Sequence, residues 1–465
     1  MTAQEAHQRI CELETKHDLL QYKVDGWCVW PLFRFSATLA IQNISLGSSQ
    51  GLSTVERYAS ALKDLTAFAF PKKAEVVVKT YSSARVESEG SLYKDVYFDD
   101  LLREIRDFYK IESVNNRIFF QRGKKAFYKS DMTTNGLNIV ASQLVKTGSP
   151  QSVADMGRKL GRLLEKEPGL GRFSPSAVIL SLLSFYWMKR LYYWLLGRIK
   201  PKYLFVADPG EYEIIAAAKE RGIKVIEFQH GIVDRHNASY SWPVDALPHK
   251  ASMPLPDRIF LYGDHWMQEL GARGFWKDEL RPVGCLRMDN YRKAVIQKDE
   301  TFSILVTTQG IDVEKIIEFM LQFMRHAADR PDIRVIFKLH PLYDHSKSRY
   351  QEAFSGFKNS KVFLGNEGSS TFELLTKCRL HASISSACHY DALALGVLTI
   401  ILPFATHETV LHLYEAGHAA LAATPQDLWQ LVSTAEQRPV PEEVRNQYFK
   451  TGAIENMKKE LAVLS

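Results

Sequence analysis

Two segments in the second half of the chain carry alternating strand and helix patterns, FKLHP at Phe337–Pro341 and HASISSACHYDALALGVLTIILPF at His381–Phe404. The apolar runs within them have the length and composition of buried strands. Buried strands that alternate with helices form a parallel sheet with right-handed crossovers. We therefore expect this half of the chain to be an α/β lobe.

The polar residues of these segments fall where a parallel sheet binds ligands. Lys338 and His340 are two residues apart near a strand end, so their side chains share one face, and Pro341 turns the chain away behind them. Ser385 and Ser386 open the next helix, where hydroxyls and unpaired backbone N–H groups attract anions. These residues are predicted to bind a nucleotide phosphate. The alternatives are a structural histidine at a strand end and a simple helix N-cap.

Three further residues belong to the same predicted donor site. Gln309 and Gly310 follow the first strand of this lobe, where a glycine allows close backbone approach to a phosphate. Asp391 lies early in the helix after the serine pair, within reach of a ribose hydroxyl. An ordinary βα turn and a favourable charge near a helix N-terminus are the alternatives.

An earlier part of the chain reads as a βαβ unit, with strand Tyr203–Ala207, helix Glu211–Gly222 and strand Lys224–Phe228. Because neighbouring parallel strands end at the same edge of a sheet, we expect side chains that follow the two strands to lie together. Those side chains are Asp208, Glu211 and Glu213 after the first strand and His230 after the second.

A carboxylate beside an imidazole can deprotonate an acceptor hydroxyl or stabilise a cationic sugar transition state. Each acid taken singly is better explained as a favourable charge at a helix N-terminus. The choice among Asp208, Glu211 and Glu213 as the catalytic acid stays open.

Composition limits the class of protein. The 465 residues are 46% hydrophobic and 24% charged, which suits two core-forming domains. A net charge of +6 fits phosphorylated substrates or an anionic membrane surface and is spread too thinly for nucleic acid. The five cysteines are odd in number and widely spaced, which predicts neither disulfides nor zinc and fits a reducing cytoplasm.

The pattern divides the chain into four predicted regions: an N-terminal helical extension (1–70), a first Rossmann-like lobe (71–288), a second Rossmann-like lobe (289–430) and C-terminal helices that could return to the first lobe (431–465). The apolar stretch Val178–Leu196 is interrupted by Lys189 and Arg190, so it is not expected to span a membrane. It is predicted to be either a buried helix or a helix at a membrane interface.

Three motifs in fixed order, Gln229-His230-Gly231, Lys338-x-His340-Pro341 and Ser385-Ser386, resemble bacterial glycosyltransferases of the GT-B fold that use cytidine-nucleotide donors. These are the Kdo transferases of capsule and lipopolysaccharide, the sialyl- and polysialyltransferases, and the CDP-glycerol glycerophosphotransferases. The resemblance covers roughly Tyr203–Phe404.

The resemblance implies two Rossmann-like lobes with an interlobe cleft. It implies that His340 and the serine pair hold the donor phosphate and that a first-lobe acid or His230 does the chemistry. The acidic Asp/Glu-Asp/Glu-Gly motif of the sialyltransferases is replaced near its place by Gln229-His230-Gly231, which favours Kdo-type or glycerol phosphate transfer.

The expected function is therefore transfer of a Kdo- or sialic-acid-like sugar from a CMP-linked donor to a bacterial surface glycan or a lipid-linked acceptor. The enzyme is expected to be cytoplasmic, with possible contact to the inner membrane face, and to need no metal or other cofactor. The alternatives are a CDP-glycerol or CDP-ribitol phosphotransferase, a UDP-sugar 2-epimerase and a non-catalytic nucleotide- or glycan-binding assembly protein.

Overall fold

The computed structural model describes residues 2–44, 52–87, 92–114, 117–293, 301–341, 343–365, 367–435 and 438–464. They divide into two compact units. The first unit comprises residues 1–261, 266–286 and 454–465, and the second comprises residues 262–265 and 287–453.

The helices and strands up to residue 282 are α1 (Ala3–Lys16), β1 (Lys23–Val24), β2 (Trp27–Cys28), α2 (Pro31–Ile41), α3 (Thr54–Ala69), β3 (Val76–Tyr81), β4 (Arg85–Glu87), β5 (Tyr93–Asp95), α4 (Asp99–Leu102), β6 (Phe108–Ser113), α5 (Arg117–Lys124), β7 (Met132–Thr133), α6 (Asn135–Thr147), α7 (Gln151–Leu164), α8 (Pro175–Ile199), β8 (Tyr203–Val206), α9 (Tyr212–Glu220), β9 (Lys224–Phe228), β10 (Arg258–Leu261), α10 (Asp264–Gly271) and β11 (Leu280–Pro282).

The remaining elements are α11 (Leu286–Lys293), β12 (Phe302–Thr308), α12 (Val313–His326), β13 (Ile333–Leu339), α13 (Lys347–Ala353), β14 (Ser360–Leu364), α14 (Thr371–Lys377), β15 (Leu380–Ser383), α15 (Cys388–Ala394), β16 (Leu398–Ile401), α16 (Leu411–Glu415), β17 (Ala420–Leu421), α17 (Pro425–Thr434), α18 (Glu442–Tyr448) and α19 (Ala453–Leu464).

Each unit is built on one parallel sheet whose strand order reverses near its middle. The order is β11-β10-β9-β8-β3-β6-β7 in the first unit and β14-β13-β12-β15-β16-β17 in the second. Because helices cover both faces of such sheets, the strands are buried on both sides, which explains their nearly continuous apolar runs. In open parallel sheets, ligands bind at the carboxyl ends of the strands where the order reverses. Those points lie between β3 and β8 in the first unit and between β12 and β15 in the second.

The N-terminal helices belong to the first unit and are held there by a buried ion pair. Glu14 of α1 accepts hydrogen bonds from the Trp30 indole (2.6 Å) and from Arg34 Nε of α2 (2.5 Å), and both charged residues are buried. The same guanidinium donates to the backbone carbonyls of Ala238 and Ser241. The predicted extension 1–70 is thus tied to a loop some 200 residues further along the chain.

The long apolar helix α8 packs against the core. Val178, Leu182, Phe185 and Leu195 are among its buried residues, and the buried Lys189 is neutralised by Glu220 (2.5 Å) and Asp25 (3.2 Å). Within the residues that the structure describes, no helix is both long and apolar enough to cross a bilayer.

The C-terminal residues 431–465 are shared between the two units. Arg292 holds α18 in the second unit by donating to the carbonyls of Ala394, Arg445 and Phe449 (2.8–2.9 Å). Helix α19 contacts strands of the first unit, where Glu460 pairs with Arg281 at 3.0 Å. The return to the first unit therefore involves the last helix and not α18.

The buried ion pair gives a stability prediction. Glu14→Ala leaves the Arg34 guanidinium buried without its carboxylate, so we expect the free energy of unfolding to fall by about 3–5 kcal/mol. Glu12→Ala, on the same helix but in an exposed pair with Arg9, is the matched control and should cost less than about 1 kcal/mol. Urea unfolding measures both. Similar losses in the two variants would contradict a central role for the buried pair.

Candidate functional site

A cavity of about 720 Å³ lies in the first unit at the carboxyl end of β8. Helix α2 contributes one wall, α8 a second, and the loops after β8 and β9 with the first turn of α9 the remainder. The lining residues are Pro31, Leu32, Phe35, Ser36, Leu180, Ser181, Ser184, Asp208, Pro209, Gly210, Tyr212, Glu213, His230, Asn237, Ser239 and Tyr240.

The cavity brings together three of the four predicted catalytic residues, Asp208, Glu213 and His230. The fourth, Glu211, is committed to an ion pair. Its carboxylate accepts a hydrogen bond at 2.5 Å from Lys79 of β3, a buried lysine that also donates to Ser113 at 2.7 Å. A buried ammonium needs a counter-charge. Glu211 supplies it to Lys79 on the neighbouring strand β3, and this is a structural role.

Glu213 has the environment of a proton-exchanging acid. Burial raises the pKa of its carboxyl to about 7, and the negative charge of Glu211 adds to the rise while Lys79 opposes it. A carboxyl with a pKa near the working pH can both accept and release a proton.

His230 is held as a neutral imidazole. Burial lowers its pKa, and the carboxylate of Asp208 opposes that shift. Its Nδ1 is buried and has no hydrogen-bond partner among the described residues, while its backbone carbonyl accepts from the Tyr97 hydroxyl at 3.1 Å. The backbone of this turn is further fixed by Gln229, whose amide donates to the carbonyl of Gly231 at 2.8 Å. A neutral imidazole can serve as a general base.

Glu227 and Tyr240 are two residues of this region that the sequence did not predict. Glu227 lies in the interior of β9, where burial raises the pKa of its carboxyl to about 8, and the hydroxyl of Tyr240 donates to it. Tyr240 also lines the cavity. The signal was a single acid in an otherwise apolar strand, Lys224–Phe228. Such a residue needs a polar partner when it is buried.

Four predicted donor residues of the second unit, Gln309, Gly310, Ser385 and Ser386, follow the carboxyl ends of β12 and β15, whereas Lys338, His340 and Pro341 lie at the end of β13. The hydroxyl of Ser385 donates to the side-chain oxygen of Gln309 (3.1 Å) and hydrogen-bonds with that of Thr406 (2.8 Å). The Ser386 hydroxyl accepts from the backbone N–H of Cys388 at 3.2 Å, at the first residue of α15. Gln309 and Ser385 thus meet where the strand order reverses, and Ser386 caps the turn that leads into the helix.

Gly310 and His340 lie on adjoining loops. Gly310 has a positive φ of 74°, and a Cβ at this position would collide with the backbone carbonyl of Tyr343. The His340 ring stacks on that of Tyr343 with centroids 4.4 Å apart, and burial lowers its pKa. Pro341 packs closely against Gly365.

Lys338 and Asp391 interact with other residues of the second unit. The buried Lys338 ammonium donates to the carbonyls of Glu367 (2.8 Å) and Ser369 (2.9 Å), so it fixes the loop before α14. Its contact with a phosphate stays a prediction. Burial raises the pKa of Asp391 to about 7, with the positive charge of Arg287 opposing the rise.

Comparison with known proteins shows the fold. No family model and no curated protein matches the chain. Among solved structures, a UDP-GlcNAc 2-epimerase from Neisseria meningitidis bound to UDP-GlcNAc aligns at 15% identity over 83% of this chain and 100% of its own, with a TM-score of 0.52. A second UDP-N-acetylglucosamine 2-epimerase aligns at 16% identity over 84% of this chain and 95% of its own (TM-score 0.53), and one from Methanocaldococcus jannaschii at 13% over 83% and 99% (TM-score 0.51).

The chain has the GT-B fold. The two parallel-sheet α/β units match the Rossmann-like architecture of these structures, which confirms the predicted fold class. The Kdo, sialyltransferase or glycerophosphotransferase subfamily stays a prediction.

The buried Glu227 gives a pH-dependence prediction. A carboxyl whose pKa is about 8 when folded and about 4.3 when unfolded binds more protons in the folded state, so its contribution to stability declines as pH rises through that window. Glu227→Gln removes the titration while its amide oxygen can still accept from Tyr240. As pH increases from 5 to 8, the free energy of unfolding of the variant should therefore rise relative to that of the wild type, by up to about 1.4 kcal/mol per pH unit.

Thermal or urea unfolding of both proteins across this pH range measures the difference. The exposed Glu352→Gln is the matched control and should follow the wild-type profile. A constant difference between Glu227→Gln and the wild type would show that the carboxyl is ionised throughout.

Proposed function

We propose that this chain is an enzyme that transfers a glycosyl group from a nucleotide-activated sugar to a hydroxyl of an acceptor bound in the first unit. The observation that supports this most is the cavity at the end of β8. Its volume lies within the range of about 300–1,000 Å³ typical of small-molecule sites. Asp208, Glu213 and His230 lie on one side, and an apolar wall from Leu32 and Leu180 lies on another. Polar side chains that could react, next to an apolar wall, suit an acceptor as second substrate better than they suit the sugar of the donor alone.

In this proposal, the first unit supplies the base. His230 is neutral, so its imidazole can take the proton of the acceptor hydroxyl as the hydroxyl oxygen bonds to the anomeric carbon. The bond from that carbon to the nucleotide phosphate breaks, and its electron pair leaves with the phosphate. The carboxylate of Asp208 would stabilise the imidazolium so formed, and Glu213 is the alternative base.

The second unit is proposed to bind the nucleotide. Gln309 and Ser385 sit where the strand order of its sheet reverses, and Gly310 and His340 lie on the adjoining loops. Hydroxyl, amide and backbone N–H groups at such points bind phosphates in related open sheets. The preference for a CMP-linked donor rests on the motif resemblance alone.

A second candidate is 2-epimerisation of UDP-GlcNAc. It is favoured by the comparisons, because the solved structures that align with TM-scores above 0.5 include three UDP-GlcNAc 2-epimerases. The comparisons therefore support this reaction more than transfer from a CMP-sugar. The two reactions can be distinguished, because epimerisation needs no acceptor and releases no nucleotide.

One assay separates these candidates. The purified chain is incubated with UDP-GlcNAc, CMP-N-acetylneuraminic acid, CMP-Kdo or CDP-glycerol, with and without a mixture of glycan and lipid-linked acceptors, and products are identified by mass spectrometry and NMR. We expect nucleotide release that depends on the acceptor. Conversion of UDP-GlcNAc without acceptor would establish the epimerase instead, and binding without turnover of any donor would refute catalysis.

Variants of the two units should fail in different ways. His230→Asn removes the proposed base, so kcat should fall about 10²–10⁴-fold while the Kd for nucleotide is unchanged. Ser385→Ala is expected to weaken nucleotide binding several-fold. His326→Asn, which changes an exposed histidine on α12, is the control for the first variant. Unchanged turnover in His230→Asn would exclude the imidazole as the base.

A further inference from the structure

A second cavity of about 450 Å³ adjoins the first and shares Leu32, Ser36 and Ser181 with it. From the first cavity to the second, the lining residues advance toward the C-terminus of α2, as far as Leu39, and toward the N-terminus of α8, as far as Ala177. The two helices therefore form opposite walls of one continuous trough. The eight residues 32–39 of α2, at a helical rise of ~1.5 Å per residue, give this trough a length of ~12 Å.

The chemistry of the trough changes along its length. The first cavity contains the acids and His230, whereas Arg172 is the only charged residue among the described residues that line the second. Most of the other residues that line the second cavity are apolar, among them Phe33, Leu39, Phe173 and Val178, while the accessible surface of the two cavities is comparably polar.

Large apolar side chains remain accessible along the trough. Phe35 is 42% exposed, Leu180 is 59% exposed and Ile44 is 44% exposed. Single exposed apolar residues are ordinary on protein surfaces, but Phe35 and Leu180 at the first cavity and Ile44 at the adjoining one together mark a surface that a ligand covers. Covering them removes apolar area from water, which contributes roughly 25 cal/mol per Å².

We propose that the trough between α2 and α8 binds the apolar portion of an amphipathic acceptor, whose hydroxyl-bearing end lies at Asp208 and His230. This inference rests on the proposed function, because it names the substrate class of the same site. The acceptor class is an amphiphile with a glycosyl or polyol head and an apolar chain. A purely polar acceptor would leave Phe35 and Leu180 uncovered, and a purely apolar one would place no hydroxyl beside the imidazole.

Binding of short-chain glycosides tests this directly. Isothermal titration of the full chain with methyl β-glucoside and with octyl β-glucoside, below its micelle concentration and without nucleotide, compares the same head with two apolar lengths. We expect octyl glucoside to bind at least tenfold more tightly. Leu180→Gln, at a largely exposed position, should reduce that preference about threefold or more. Leu62→Gln, which changes a leucine that is 72% exposed on α3 and outside both cavities, should change neither.

Equal affinity for the two glucosides in the wild type, or equal loss in Leu180→Gln and Leu62→Gln, would overturn the proposal. Sedimentation with phosphatidylglycerol vesicles gives a further arm. If Leu180→Gln loses vesicle binding and keeps the octyl preference, the exposed leucine contacts a membrane and the proposal is wrong. The glucoside titration contains no nucleotide, so it tests the trough independently of sugar transfer. If octyl glucoside binds more tightly than methyl glucoside but no donor is turned over, the proposed transfer is wrong and the proposed acceptor trough is not.

Discussion

The buried pair of Glu14 and Arg34 is the interaction on which the candidate site depends. Arg34 is almost fully buried, so its charge requires both the carboxylate of Glu14 and the carbonyls of Ala238 and Ser241. The guanidinium also lies over the ring of Trp242 at 4.1 Å. Through these contacts one side chain joins α2, which forms the apolar wall, to the loop that carries Tyr240. The N-terminal helices are therefore part of the site.

Three acids of the first unit, the buried Glu227 and the partly buried Glu211 and Glu213, are stabilised in three different ways. Glu211 is paired with Lys79, Glu227 receives the Tyr240 hydroxyl and has a pKa of about 8, and Glu213 lines the cavity with a pKa of about 7. Environments that separate the pKa values of neighbouring groups are the usual means by which one site holds both an acid and a base. Here they leave Glu213 and the neutral His230 as the groups suited to proton transfer near neutral pH.

The sequence predicted what depends on local pattern. Alternating strands and helices indicated two α/β units, and the rule that parallel strands end at one edge brought Asp208, Glu213 and His230 to one cavity. The missed features depend on contacts between distant residues: the wall from α2, the pairing of Lys79 with Glu211 across 132 positions, and the partner of Glu227. The contacts of the Lys338 ammonium with the carbonyls of Glu367 and Ser369 also follow no local pattern, and its role as a phosphate ligand stays a prediction.

The central claim is that the cavity of the first unit serves transfer to a hydroxyl and not rearrangement of the sugar itself. Inversion at C2 of UDP-GlcNAc requires the C2–H bond to break and a new hydrogen to arrive from solvent. The most direct measurement is therefore NMR of UDP-GlcNAc recovered after incubation with the protein in deuterated water. The account predicts that C2 keeps its original hydrogen and configuration. Deuterium at C2 would contradict it and identify the chain as an epimerase.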